Sequence, residues 1–226
     1  MPAYATAVFD LDGTLLNTIE DLHLSTNAAL GAHGMPPHSL DDVRRFVGNG
    51  IRKLIERAVP AGTDAAEQEA VYQDFCAHYA AHCEDHTGPY AGIPELLAHL
   101  REAGVRLAVV SNKGDFAVQE LVARQFPGAF DAILGENEAA GIRKKPAPDM
   151  VEAALARMGA RRDGLVYIGD SEVDVQTAAN VGCPCISCTW GFRSVDDLLA
   201  AGATTLVDTP VELERVLLGL PREAAR

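Results

Sequence analysis

No stretch of the 226 residues approaches the run of about eighteen apolar side chains that a membrane-spanning helix needs, so none is expected. The first residues also lack the basic and apolar regions of a secretion signal. Basic side chains are in short supply: nineteen Lys and Arg against thirty-two Asp and Glu give a formal charge of -13. Such a surface repels a phosphate backbone, which argues against nucleic acid as a partner. A small anion met by a local lysine or metal is not excluded. Cysteine is sparse and odd in number, five in all, without the dense framework of a secreted disulfide scaffold. A reducing cytoplasm is the expected location.

What is present is ordinary for a soluble globular protein, 48% apolar and 23% charged residues. The length suits one large domain, or one domain carrying a smaller insert. No internal repeat or low-complexity tract stands out. Ala7-Val8-Phe9 reads as a buried strand stopped by the turn at Gly13. Thr18 is placed to cap a helix over 19–30, with Asp21 as the partner of a partial capping box. Further helices are expected from about 39 to 46, 51 to 59 and 63 to 81, so residues 17 to about 83 are strand-free.

The pattern then changes. Gly88 to Gly92 reads as a linker and Pro94 sits in the first turn of a helix that closes at Gly104. Strands are expected at 105–110, 130–134, 165–168, 184–188 and 205–207, alternating with helices at 115–125, 149–158, 173–180 and 211–218. Alternation of this kind predicts an α/β fold, a Rossmann-like parallel sheet with helices on both faces. The helical block is then an insert, giving a core of residues 1–16 and 87–226 and an all-helical domain of residues 17–86.

The polar clusters follow apolar strands: Asp10 and Asp12, Ser111 with Asn112, Lys145 beyond a loop, and Asp170 with Asp174. In a parallel sheet those strand ends share one edge, where ligands bind. Carboxylates gathered there offer the hard oxygen ligands that suit Mg²⁺. A lysine neutralises phosphate oxygens as a point charge, and a carboxylate can attack phosphorus to form an aspartyl-phosphate. Taken singly, Asp10 and Asp12 are equally well read as a solvated acidic turn.

Together the clusters resemble the four motifs of the haloacid-dehalogenase-like superfamily. They are Asp10-Leu-Asp12-Gly-Thr14, Ser111 after its strand, Lys145 in Lys-Pro-Ala-Pro, and Gly169-Asp170-Ser-Glu-Val-Asp174. The resemblance implies that Asp10 is the nucleophile and Asp12 the general acid and base. It implies a magnesium ion on Asp10, the Asp12 carbonyl and Asp170, with Asp174 in support. Ser111 and Lys145 would bind phosphate, with Thr14 and Asn112 assisting. The second aspartate sets the chain apart from the dehalogenases. Lys53, the insert's one lysine, reads as an ordinary helix residue rather than the Schiff-base lysine of phosphonoacetaldehyde hydrolases.

The insert resembles the helical cap of one subfamily, with hinges near 15–18 and 86–92. Within it, Arg52 beside the Gly48-Asn49-Gly50 turn is a candidate for a substrate carboxylate, or a surface arginine after a plain helix-start turn. Val110-Ser111-Asn112-Lys113 and Thr189-Trp190-Gly191-Phe192-Arg193 make the pattern most similar to the phosphoglycolate phosphatase group. The expected partner is a small phosphorylated metabolite, 2-phosphoglycolate first. A sugar-phosphate mutase, or a phosphatase for nucleotides, sugar phosphates or pyrophosphate, is the alternative, and the protein is expected as a monomer or homodimer. Cys183, Cys185 and Cys188 read as buried thiols, and His78, His82 and His86 as a half-exposed helix face, not as metal sites.

Overall fold

Strand and helix alternate into a parallel sheet in the computed structural model, which describes residues 2–221. In chain order, β1 (Thr6–Phe9) and the short β2 (Leu16–Asn17) precede four helices: α1 (Ile19–Ala32), α2 (Leu40–Phe46), α3 (Ile51–Ala58) and α4 (Ala65–His82). After β3 (Gly88–Pro89) come α5 (Ile93–Glu102), β4 (Arg106–Gly114), α6 (Asp115–Gln125), β5 (Ala132–Glu136) and α7 (Asp149–Met158). The chain closes with β6 (Leu165–Gly169), α8 (Glu172–Val181), β7 (Cys185–Cys188), α9 (Val195–Ala200), β8 (Leu206–Val207) and α10 (Pro210–Leu218).

Six strands lie in the order β5-β4-β1-β6-β7-β8, and every adjacent pair is parallel. The chain steps from β1 outward through β4 to β5, then returns to the other side of β1 with β6. That reversal places a crevice at the carboxyl ends of the central strands. Period-two alternation divides the strands between two cores. Ala7, Phe9, Val109 and Ile168 pack with α5, α6 and α10, while Val8, Val110 and Tyr167 pack with α7 and α8. With both faces covered, the strands carry the nearly continuous apolar runs seen in the sequence.

Helices α1 to α4 bury a third core of their own, centred on Leu30, Val43, Leu54, Val71 and Phe75. Phe192, from the far end of the chain, enters that core. The two connections between helices and sheet are zipped to each other as the antiparallel pair β2 and β3.

Three local expectations need correction. The Thr18 hydroxyl makes no cap and is buried without a hydrogen-bond partner. Asp21 turns away from it to accept the backbone N–H groups of His86 and Thr87, the Thr87 hydroxyl and the His86 ring. Strand β4 runs on through the polar residues to Gly114, with its register broken after Val110. Helix α9 follows a capping box of Ser194 and Asp197 that lies too close to neighbouring turns to stand out in the sequence.

Asp21 therefore joins the first helix of the block to the segment that leaves it. These hydrogen bonds hold its carboxyl below the usual range, outweighing the burial that opposes them. Replacing Asp21 by Ala leaves buried donors unpaired and is expected to destabilise the fold by about 2–3 kcal/mol at pH 7. Because the folded-state pKa is depressed, that contribution is complete above about pH 4 and is lost as pH falls through the folded value. Urea denaturation of the protein and Asp21→Ala from pH 7 to 3 should show the gap closing; a constant gap would assign the loss to packing.

Candidate active site

Asp10 leaves the end of β1 buried, and its Oδ1 accepts the Leu11 N–H at 2.7 Å. The same oxygen lies 2.8 Å from the Lys145 ammonium, which lies 2.8 Å from Asp174 Oδ1 as well. Lys145 is set by Asn112, whose Oδ1 accepts its N–H at 2.8 Å and whose Nδ2 donates to its carbonyl at 3.1 Å. Asp174 sits in the first turn of α8, where its Oδ2 takes the Ser171 hydroxyl at 2.6 Å and backbone N–H at 3.1 Å. Asp170, at the end of β6, accepts the Thr14 hydroxyl at 3.0 Å on Oδ1 and the Phe192 N–H at 2.7 Å on Oδ2.

Glycine makes room for this crowd. A Cβ on Gly13 or Gly191 would overlap the Asp170 carboxylate, and one on Gly169 would overlap Asp174. Gly13 also takes a φ of +86°, which a side chain disfavours.

Burial pushes the Asp10 carboxyl well above the ordinary range, and the Asp174 and Asp170 charges push it further against the pull of Lys145. Burial and Asp174 likewise raise Asp170 to about 7. Burial alone would lower Lys145, but Asp10 and Asp174 outweigh it and hold the ammonium charged. Oxygens of Asp10, Asp170 and Asp174 all lie within 4.8 Å of one another. This compact, buried, all-oxygen set fits a hard divalent cation such as magnesium. Asp10 and Asp170 reach the pocket that opens above the cluster whereas Asp174 does not line it, so those two are the better placed ligands.

A second lysine–carboxylate pair stands beside the first. The Lys113 ammonium reaches both oxygens of Asp12, at 2.9 and 3.0 Å. Lys113 is buried, and its nitrogen lies 4.9 Å from the ring centre of Tyr79 on α4. Burial opposes its charge, and the Asp12 carboxylate more than restores it. Lys113, the last residue of the Val110-Ser111-Asn112-Lys113 run, thus lies inside the molecule.

These groups open on a cavity of about 50 Å³ between sheet edge and helices, lined by Asp10, Asp12, Ser111, Lys145 and Asp170. Leu22, Val47, Ile51, Leu54 and Phe192 give its other wall an apolar character. Ser111 is buried there, its Oγ accepting the Lys113 N–H. Three expected ligands are differently employed. Thr14 holds Asp170 and does not line the pocket. The Asn112 amide is spent on Lys145 and on the Gly48 carbonyl at 3.1 Å. Arg52 projects outward, paired with Glu69 and stacked 4.0 Å from the Tyr72 ring centre. The pocket instead meets Arg193, which carried no individual role in the sequence analysis.

The remaining candidates stay outside the chemistry. Cys183 and Cys185 pack on one side of the sheet and Cys188 in the core on the other, all free thiols that burial keeps protonated. His78 bonds to Ser25, His82 to Asp85 and His86 to Asp21. Among the described residues no helix is long and apolar enough to cross a membrane.

Comparison with known proteins agrees with this geometry. The family profile of haloacid dehalogenase-like hydrolases matches residues 7–188. A phosphoglycolate phosphatase of Caulobacter vibrioides is 34% identical over 96% of this chain and 92% of its own length. An N-acetylmuramic acid 6-phosphate phosphatase of Pseudomonas aeruginosa is 33% identical over 93% of each. The crystal structure of a candidate phosphoglycolate phosphatase from Lactobacillus delbrueckii subsp. bulgaricus is 41% identical and superposes with a TM-score of 0.92, covering 97% of this chain and all of the other. With the four strand-end clusters gathered on one pocket and a match along nearly its whole length, the chain belongs to the haloacid dehalogenase-like hydrolases, as a phosphatase of that family.

Proposed function

We propose that this phosphatase is a magnesium-dependent phosphomonoesterase that works through an aspartyl-phosphate and takes a small metabolite, 2-phosphoglycolate first. The observation that carries the reading is the buried cluster of Asp10, Lys145, Asp170 and Asp174 at the floor of a pocket also reached by Asp12. An Asp10 oxygen bonds to phosphorus as the bond from phosphorus to the leaving oxygen breaks, and the Asp12 carboxyl gives that oxygen its proton. Asp12, then a carboxylate, takes a proton from water as the water oxygen attacks phosphorus. The bond to Asp10 breaks, phosphate leaves and both acids return to their starting states.

Lys145 neutralises non-bridging oxygens, and Ser111 binds one of them. Magnesium, held by Asp10, Asp170 and the Asp12 carbonyl, would offset phosphate charge and orient the group for attack. Helices α1 to α4 act as a cap that excludes bulk water from the pocket. The turn before α3 brings Gly50 and Ile51 to the wall opposite the floor, where a helix N-terminus receives a substrate carboxylate. A sugar phosphate is the second reading, favoured by the apolar wall of Leu22, Val47, Ile51, Leu54 and Phe192. The protein acts in the cytoplasm, as a monomer or homodimer, without nucleic acid or membrane.

Phosphate release from a panel of phosphorylated metabolites, with and without Mg²⁺, tests the substrate. The panel should hold 2-phosphoglycolate, N-acetylmuramic acid 6-phosphate, nucleotides and pyrophosphate, and phosphate isomers must be assayed as products to reveal a mutase. Asp10→Asn is expected to lose turnover by roughly 10⁴-fold or more, together with any acid-stable label trapped from [³²P]substrate. Retained turnover in that variant would remove the covalent route. Gly191→Ala forces the Asp170 carboxylate aside, and magnesium affinity by calorimetric titration is expected to fall about 10- to 100-fold. Unchanged affinity would remove Asp170 from the ion's ligands.

A further inference from the structure

The five residues after β7 each grip a different part of the molecule. Thr189 is fixed to β8, its N–H on the Val207 carbonyl at 3.1 Å and its hydroxyl on Asp208 at 2.7 Å. Trp190 donates its indole N–H to the Thr14 carbonyl at 3.1 Å, in the turn after β1. Gly191 lies flat against Asp170. Phe192 splits its loyalties: its backbone N–H holds Asp170 Oδ2 at 2.7 Å, while its ring is buried in the core of α1 to α4. Arg193 crosses the same boundary. Its Nε bonds to Glu172 on α8 at 2.8 Å, its Nη1 to the Arg44 carbonyl at 2.8 Å and its Nη2 to the Val47 carbonyl at 2.6 Å.

The carbonyls that Arg193 meets belong to the C-terminal end of α2, where a helix has acceptors without internal donors. A guanidinium donates in a rigid planar fork, so the three contacts coexist in only one placement of α2 against α8. The Arg193 side chain is 10% exposed, so the joint is largely withdrawn from solvent, with Glu172 at its outer side 37% exposed. The chain beyond Val47 is gripped again at Gly48 by Asn112, and a Cβ on Gly48 would press to 3.2 Å from Arg193. Since Phe192 and Arg193 are neighbours in the chain, moving the helical block off the sheet would pull on the N–H that orients Asp170.

We propose that Phe192 and Arg193 are positioning residues that couple the seating of the helical block to the orientation of the magnesium carboxylate Asp170. The inference rests on the reading that Asp170 holds the ion. Seating the block presents Asp170 in the orientation that takes magnesium, and magnesium on Asp170 holds the block down. Thermodynamic linkage requires the two effects to be equal, so either one can be measured from the other side.

The test uses the full chain with MgCl₂ as the probe, without substrate. Hydrogen exchange of the amides in residues 44–51 is followed with and without Mg²⁺, and Mg²⁺ affinity is measured by calorimetric titration. In the unaltered protein, magnesium is expected to slow exchange of that segment by about 5-fold or more. Arg193→Ala is expected to abolish the slowing and to weaken Mg²⁺ binding by a matching factor. Arg193→Gln, which keeps one amide donor and serves if the alanine variant does not fold, is expected to fall between them. Wild-type affinity and wild-type slowing in folded Arg193→Gln and Arg193→Ala would overturn the coupling. Asp170→Asn separates the two claims: magnesium affinity unchanged in that variant would refute the metal reading itself, whereas affinity lost there but kept in the Arg193 variants would refute only the coupling.

Discussion

The site is governed by an imbalance of buried charge. Asp10, Asp170 and Asp174 are all buried, and one ammonium, Lys145, stands among them. Three carboxylates against one lysine leave two negative charges uncompensated in a medium that tolerates none. Burial and mutual repulsion accordingly raise Asp10 and Asp170 above the ordinary carboxylate range. A divalent ion answers the excess with the charge and oxygen preference that the proposed chemistry needs. Every nearby structural device serves that concentration of charge. Glycines 13, 169 and 191 provide the space, and Thr14, Ser171 and the Phe192 N–H supply the donors.

The sheet explains how residues from opposite ends of the chain come to share this spot. Each strand contributes a short polar tail, and parallel pairing aligns the tails of β1, β4 and β6 on one edge. This much was legible in the sequence, because an apolar run ending in a conspicuous polar cluster is a local pattern. The same is true of the helices, whose limits differ from expectation by a few residues at most, α9 excepted.

What escaped the sequence depends on long-range partners. Arg52 sits beside the pocket turn in the chain, yet its direction is decided by Glu69 and Tyr72 on α4. Lys113 follows a strand into what looks like a loop, and lysines are seldom buried without a partner. Its partner is Asp12, about a hundred residues earlier, and only the pairing of β1 with β4 brings the two together. Thr18 and Asp21 had the right spacing for a capping box, but the returning segment at His86 and Thr87 offers Asp21 a denser set of donors. In each case a plausible neighbour in sequence lost to a stronger one in space.

The two lysine–carboxylate pairs differ in a way that bears on the proposed mechanism. Asp174 and Lys145 are shut away, with side chains 1% and 2% exposed, and further donors fix Asp174 in place. Asp12 keeps 15% of its side chain exposed, and Lys113 alone is bonded to its carboxylate among the contacts described. A group that must meet a leaving oxygen in one step and water in the next needs access and some freedom to turn. A group that steadies phosphoryl charge throughout needs neither. Asp174 with Lys145 is therefore suited to holding the reaction centre of the proposed mechanism still, and the more exposed Asp12 to handling its protons. Because Lys113 also faces Tyr79 on α4, the acid of the proposed mechanism stands where sheet and helical block meet.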